Sequence, residues 1–271
     1  MNQLEFSMKR LLKITVLLVR SEIMIDLQYR INFLFSFIGV YFWLFAELLF
    51  FNFLLNRYKA IAGWSFEQIL LLVGINQMWV GGFFYLIIWP SLTTFANLIK
   101  GGGIDKILTY PVNTRFFLSV FKFDWTSITM FVQGLVLTIY ALTKLSLNLS
   151  VSSVILALLL FLLSGWLVYS TQYMISCFMF WLINAGSIQY FFQAFDRFSR
   201  LPYEIMTSKF VFVIFTLLIP IALVSNLPAR ALLDVLDWQI VSWGIFSGIF
   251  LFILSHIVWR LGLKRYESAS S

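Results

Sequence analysis

The chain has 271 residues, of which 61% are hydrophobic and only 11% charged, with a mean hydropathy of +0.91. These proportions exclude an ordinary soluble domain, and the apolar runs use so much of the length that no soluble catalytic domain fits beside them. The net charge of +7 suits anionic lipid headgroups without nucleic acid as a partner, and the single cysteine, Cys177, excludes an internal disulfide.

Residues 8–30 read as a helix lying on the membrane. Lys9, Lys13 and Arg20 share one face, and Leu11, Ile14, Leu18 and Ile25 lie roughly opposite. No cleavable leader is expected, because charges run through the first thirty or so residues. Six apolar runs follow, at about 31–55, 68–90, 124–143, 154–183, 210–228 and 239–259, each long enough to cross a bilayer. With the N-terminus in the cytoplasm, fifteen of the nineteen Lys and Arg residues fall on that side. The positive-inside rule then gives N-in, C-in with an even number of spans.

The first run is dense in aromatics and contains Glu47, the one acidic residue deep in a span. The second ends near Trp89-Pro90, where proline should break the helix. Residues 91–123 then form the longest segment between spans. A short helix over 91–100 ends at Gly101-Gly102-Gly103, Asp105 caps a second, and Tyr110-Pro111 breaks it. Two short helices about a glycine hinge read as a cytoplasmic docking surface.

From Leu145 to Ala194 there is no charge. We read an outer loop, one long tilted span and an apolar lead out, with an exit near Asn184, Gly186 and Ser187. Asp196 to Glu204 then forms an amphipathic cytoplasmic connection. Pro220 and Pro228 mark a kinked end or re-entrant hairpin over 219–238 on the outer side. In the sixth run, Ser242, Gly244, Ser247 and Gly248 permit close helix contact. No internal repeat or domain boundary is evident, so 1–271 reads as a single transmembrane domain.

No Walker A pattern occurs, so ATP-driven work would need a separate chain. One histidine, His256, makes neither a metal site nor a triad. Glu47 is a candidate for the translocation path, since a carboxylate within a span normally faces protein or a watery path. As a lone carboxylate it also leaves open an ion-coupled secondary transporter. A membrane-embedded transferase would need clustered polar catalytic residues, and only the Asp196–Glu204 segment offers any.

Three features resemble the membrane subunit of a type-2 ATP-binding cassette (ABC) transporter. They are the basic N-terminal helix, the segment Gly102-Gly-Ile-Asp-Lys-Ile-Leu-Thr-Tyr-Pro111, and the pairing of Leu201-Pro-Tyr-Glu-Ile205 with Ile219-Pro-Ile-Ala-Leu-Val-Ser-Asn-Leu-Pro-Ala229. The second is similar to the family's Gly-x-Leu-Asp-x-x-Leu-x-x-Pro loop. Thr109-Tyr110 stands where the family often has Leu-Arg, which leaves Lys106 or Arg115 to supply a basic contact. The resemblance implies an all-α exporter permease with six transmembrane helices, an interfacial N-terminal helix and cytoplasmic coupling helices. It implies a coupling loop over 91–118 that uses Gly102, Asp105, Lys106, Pro111 and Arg115, and an outer hairpin at Pro220 and Pro228. It further implies two copies of an ATPase that bind ATP and Mg, a second permease copy or paralogue, and residence among the lipids of a bacterial inner membrane. The cargo would be a lipid, glycolipid, peptide or drug-like amphiphile.

Overall fold

Away from water, backbone groups must bond within their own segment, and helices do this most simply. The computed structural model describes residues 13, 16, 17, 19–24, 30–110, 113–147, 149–181 and 194–266. Among these the chain is helical, with turns and one isolated bridge between Ile61 and Trp64. The described part of the N-terminal segment is helical at each position, and Lys13, Val16 and Leu17 are exposed. Pro111, the exit at Asn184, Gly186 and Ser187, and the rest of the N-terminal helix lie outside the described residues.

The long helix α1 (Arg30–Tyr58) has 29 residues and spans about 43 Å at 1.5 Å per residue. Only 11% of its most apolar stretch is buried, so the rest of the chain leaves most of its surface uncovered. A turn with Lys59, Ala62 and Gly63 at positive φ leads to Ser65, which caps α2 (Phe66–Asn76). The Ser65 hydroxyl accepts from the Gln68 N–H, and the Gln68 side chain accepts from Ser65 N–H, a reciprocal box that fixes the entry.

The second run does not stop at Pro90. A π-helical stretch, Gln77–Ile88, continues α2 and passes into α3 (Trp89–Lys100). Proline is tolerated because it opens the first turn of the new α-segment, where its missing N–H is not needed. The reversal comes later, at Gly102 with φ 69°, a left-handed conformation that favours glycine. Gly102 is the cap of α4 (Gly103–Leu108), and Asp105, expected as the cap, lies in the first turn. Asn113 caps α5 (Thr114–Val120), and Asp124 caps the single turn Trp125–Ser127 that opens α6 (Ile128–Leu145).

Ser150 caps α7 (Val151–Cys177), which a short turn extends to Phe180. Asp237 caps the last helix, labelled α10 below (Trp238–Arg265). Between them lies the main departure from expectation. Residues 210–228 are not one straight span. Lys209–Leu218, made of α8 (Lys209–Val213) and a π-turn, meets Pro220–Leu232, which contains α9 (Leu223–Leu232), at 79°. Pro220 has no N–H to continue the helix, and the residue before it, Ile219, adopts a non-helical φ of −130° and ψ of 75°. Pro228 sits inside α9 rather than in a loop. Among the described residues five helices are long and apolar enough to cross a membrane, or six if the bent pair counts as one span. The protein is an all-α membrane protein.

Small residues set the packing. Gly74 of α2 and Gly134 of α6 bring their backbones together, and a Cβ on Gly134 would lie 2.5 Å from the Gly74 carbonyl oxygen. A Cβ on Gly165 would overlap the Trp79 indole, which also packs on Phe83 and Phe161. Gly165→Ala should therefore cost about 1–3 kcal/mol. Gly39→Ala on α1, with nothing near its Cβ, should be neutral in the same thermal melt in detergent. On α10, Gly244, Ser247 and Gly248 face the bundle as expected, and Ser247 donates to the Leu217 carbonyl, while Ser242 is exposed.

The bundle thus has two ends. The loop end holds α4 and α5. The far end holds the links at residues 59–65, 146–150 and 233–237.

Candidate functional site

At the loop end, α4 is two-faced because its apolar residues are three apart. Ile104 and Ile107 are buried among Leu92, Phe95, Leu118, Tyr173, Cys177 and Trp259. Lys106, Thr109, Leu108 and Tyr110 are exposed. This cluster holds α4 against α3 and includes residues near the ends of α7 and α10. Asp105 stands near the α10 terminus, where burial and its negative charge raise the Tyr266 phenol above the usual tyrosine range. Gly102 supplies the turn.

Arg115 turns inward. Its Nη2 donates to Ser255 Oγ at 2.7 Å, and its Nη1 lies 3.4 Å from His256 Nδ1. The guanidinium sits 4.3 Å from the Tyr173 ring centre and 4.8 Å from that of Phe252, a cation held between two aromatic faces. Of the residues that the sequence brought together in this loop, Lys106 is outward, Asp105 is near α10, and Arg115 braces α5 against α7 and α10. His256 is an accessory to that brace.

The second site is in the middle of the bundle. Glu47 lies about 17 Å along α1 from Tyr58, and Asn76 about 15 Å along α2 from Phe66, so the two are at similar depth. Arg200 meets both. Its Nη1 donates to Glu47 Oε1 at 2.7 Å and its Nε to Asn76 Oδ1 at 2.9 Å. Asn76 donates in turn to Ser199 Oγ, and Gln77 Nε2 lies 3.5 Å from the other Glu47 oxygen. The Arg200 and Glu47 side chains are 16% and 10% exposed. What exposure they keep is toward a cavity of about 400 Å³ walled by Trp43, Ala46, Phe50, Phe51 and Leu201.

Glu47 is therefore not a lone carboxylate, and the Asp196–Glu204 segment is not a free surface connection. Phe180, at the loop end, packs on Phe95, Trp259 and Tyr266. Twenty residues on, Arg200 is at mid-depth. Beyond it, Glu204 pairs with Arg230, whose guanidinium lies over the Tyr203 ring at 4.0 Å and the Trp64 ring at 5.0 Å, at the far end. Asn226 of α9 donates to the Leu201 carbonyl. Sequence reasoning missed Arg200 as the partner of Glu47. Hydropathy gives no signal for this pair, because its two members lie 153 positions apart in the chain. Pro220 and Pro228 sit behind this site, flanking α9 or within it, not at an exposed tip; both are buried.

Among the described residues no group of three or more His, Cys, Asp or Glu side chains could hold a metal. A family model described as "ABC-2 family transporter protein" matches residues 41–270. No curated protein and no solved structure matches the chain.

Proposed function

Because this chain belongs to the ABC-2 transporter family, whose members are multi-pass permeases of ABC transporter systems, we propose that it exports a hydrophobic or amphipathic substrate on the power of a separate ATPase. Two ATPase copies would bind ATP and Mg, and a second copy of this permease or a paralogue would complete the path. The chain does no hydrolysis in this reading; it converts a push from the ATPase into a change of helix packing.

One observation carries the proposal. The exposed face of α4 backs directly onto a buried cluster that joins α3, α5, α7 and α10. An ATPase seated on Lys106 and Tyr110 would move α4, and Ile104 and Ile107 would pass that motion to the spans. The loop end is then cytoplasmic, with N- and C-termini on that side and the protein in a bacterial inner membrane. In this reading Lys209–Leu232, bent by 79°, dips in from the far end and returns. Arg200, at mid-depth beside Glu47, leaves the basic side.

An ion-coupled mechanism through Glu47 is less well supported, since a carboxylate held 2.7 Å from a guanidinium is poorly placed to carry protons. The proposal predicts that the permease co-purifies with an ATPase and raises its turnover. Lys106→Glu should lower that stimulation about tenfold, the loss of a typical interface anchor, with no change in thermal stability. Transport that survives ATP depletion and collapses with a protonophore would overturn it.

A further inference from the structure

We infer that the mid-bundle cavity is a binding site for an amphiphile with a zwitterionic headgroup, one cationic and one anionic group, which opens the Glu47–Arg200 pair and pairs with both partners. This deepens the export reading by naming a substrate class, and it rests on that reading for the word substrate.

The cavity has two chemically distinct parts. Trp43, Ala46, Phe50, Phe51 and Leu201 make an apolar wall, and Glu47 with Arg200 make the polar part. Its volume of about 400 Å³ is in the range of small-molecule sites. Trp43 and Phe50 are 54% and 57% exposed on the lipid-facing side of α1, so the site opens sideways and an acyl chain can enter from the bilayer. Depth matters as much as composition. The pair lies near the middle of α1, where a headgroup resides only while it crosses.

Charge balance selects the headgroup. In a poorly solvated site, breaking an ion pair so that one charge is left alone is strongly unfavourable. An anion that took Arg200 would leave the Glu47 carboxylate with only the distant Gln77 amide, at 3.5 Å. A cation that took Glu47 would leave a guanidinium held by Asn76 alone among the contacts described above. A zwitterion replaces both halves of the pair and leaves no charge unmatched. Asn76, itself bonded to Ser199, holds Arg200 from behind while the exchange takes place.

The test is binding to the full-length permease in a nonionic maltoside detergent, followed by native mass spectrometry. The probes are an alkylphosphocholine, an alkyl phosphate and an alkyltrimethylammonium of one chain length. The wild type should favour the phosphocholine by about tenfold, and the Glu47→Gln, Arg200→Gln double variant, which leaves no unmatched charge, should lose that preference. Ala46→Trp should block the phosphocholine with the pair intact. Equal or tighter binding of the phosphate overturns the proposal, as does a preference that survives in the double variant or a failure of all three probes. None of these outcomes touches the ATPase stimulation on which the permease reading stands, so the two can fail separately.

Discussion

Glu47→Gln should destabilise the protein by about 1–3 kcal/mol, because it leaves the Arg200 guanidinium without its charged partner in a part-buried site. The guanidinium of Arg200 cannot shed its proton, so it stays charged in a site where its side chain is 16% exposed. Arg200→Gln should also destabilise, because it leaves the Glu47 carboxylate with only the Gln77 amide at 3.5 Å among the contacts described above. The double variant Glu47→Gln, Arg200→Gln should recover most of the loss, since neither charge remains and the amide introduced at position 200 can still donate to Asn76. Thermal unfolding of the four proteins in one detergent checks the order. If the single variants and the double variant were equally stable, the pair would be a surface contact and not a buried one. The order also separates a structural ion pair from a proton carrier, for which Glu47→Gln would leave stability intact and abolish transport alone.

Arg115→Ala should separate ATP hydrolysis from transport. The side chain hydrogen-bonds Ser255 and lies between Tyr173 and Phe252, so it ties α5 to α7 and α10. Its removal takes away a charge-assisted hydrogen bond and two ring contacts, about 2–3 kcal/mol of connection between the loop and the spans. In a complex with its ATPase, hydrolysis should persist while transport falls about 30-fold or more, the factor that such a coupling energy implies. Arg115→Lys should not rescue it, because a lysine keeps the charge but loses the planar group that lies between the rings. Rescue by lysine would show that charge alone matters at this position. Arg115 is a positioning residue in this account, and its effect is on coupling rather than on contact with the ATPase.

Much of the architecture is legible in hydropathy because lipid imposes one requirement, a long apolar helix, on every span. The runs at 31–55, 124–143 and 239–259 correspond to helices at Arg30–Tyr58, Trp125–Leu145 and Trp238–Arg265. Hydropathy reports length and not contact, however. Reading Asp196–Glu204 as a cytoplasmic connection places Arg200 outside the bundle and leaves Glu47 without a partner, because the contact joins residues 153 positions apart. Pro90 misleads for a different reason. Its effect depends on the winding of the turn before it, and the π-helix over Gln77–Ile88 leaves no signal in periodicity. The two-faced character of α4 is visible in the sequence as a docking loop, but the inward turn of Arg115 depends on Tyr173, Ser255 and Phe252, residues far away in the chain.

The most direct measurement is photo-crosslinking of the ATPase complex from position 106, with position 234 at the far end as its counterpart. Lys106 is on the exposed face of α4 and Asp234 in the link before α10, at opposite ends of the bundle. A crosslink to the ATPase from position 106 and none from position 234 is the predicted result. An ATPase that co-purifies but crosslinks only from position 234, or from neither, would contradict the placement of the ATPase on α4 and with it the proposed route of coupling.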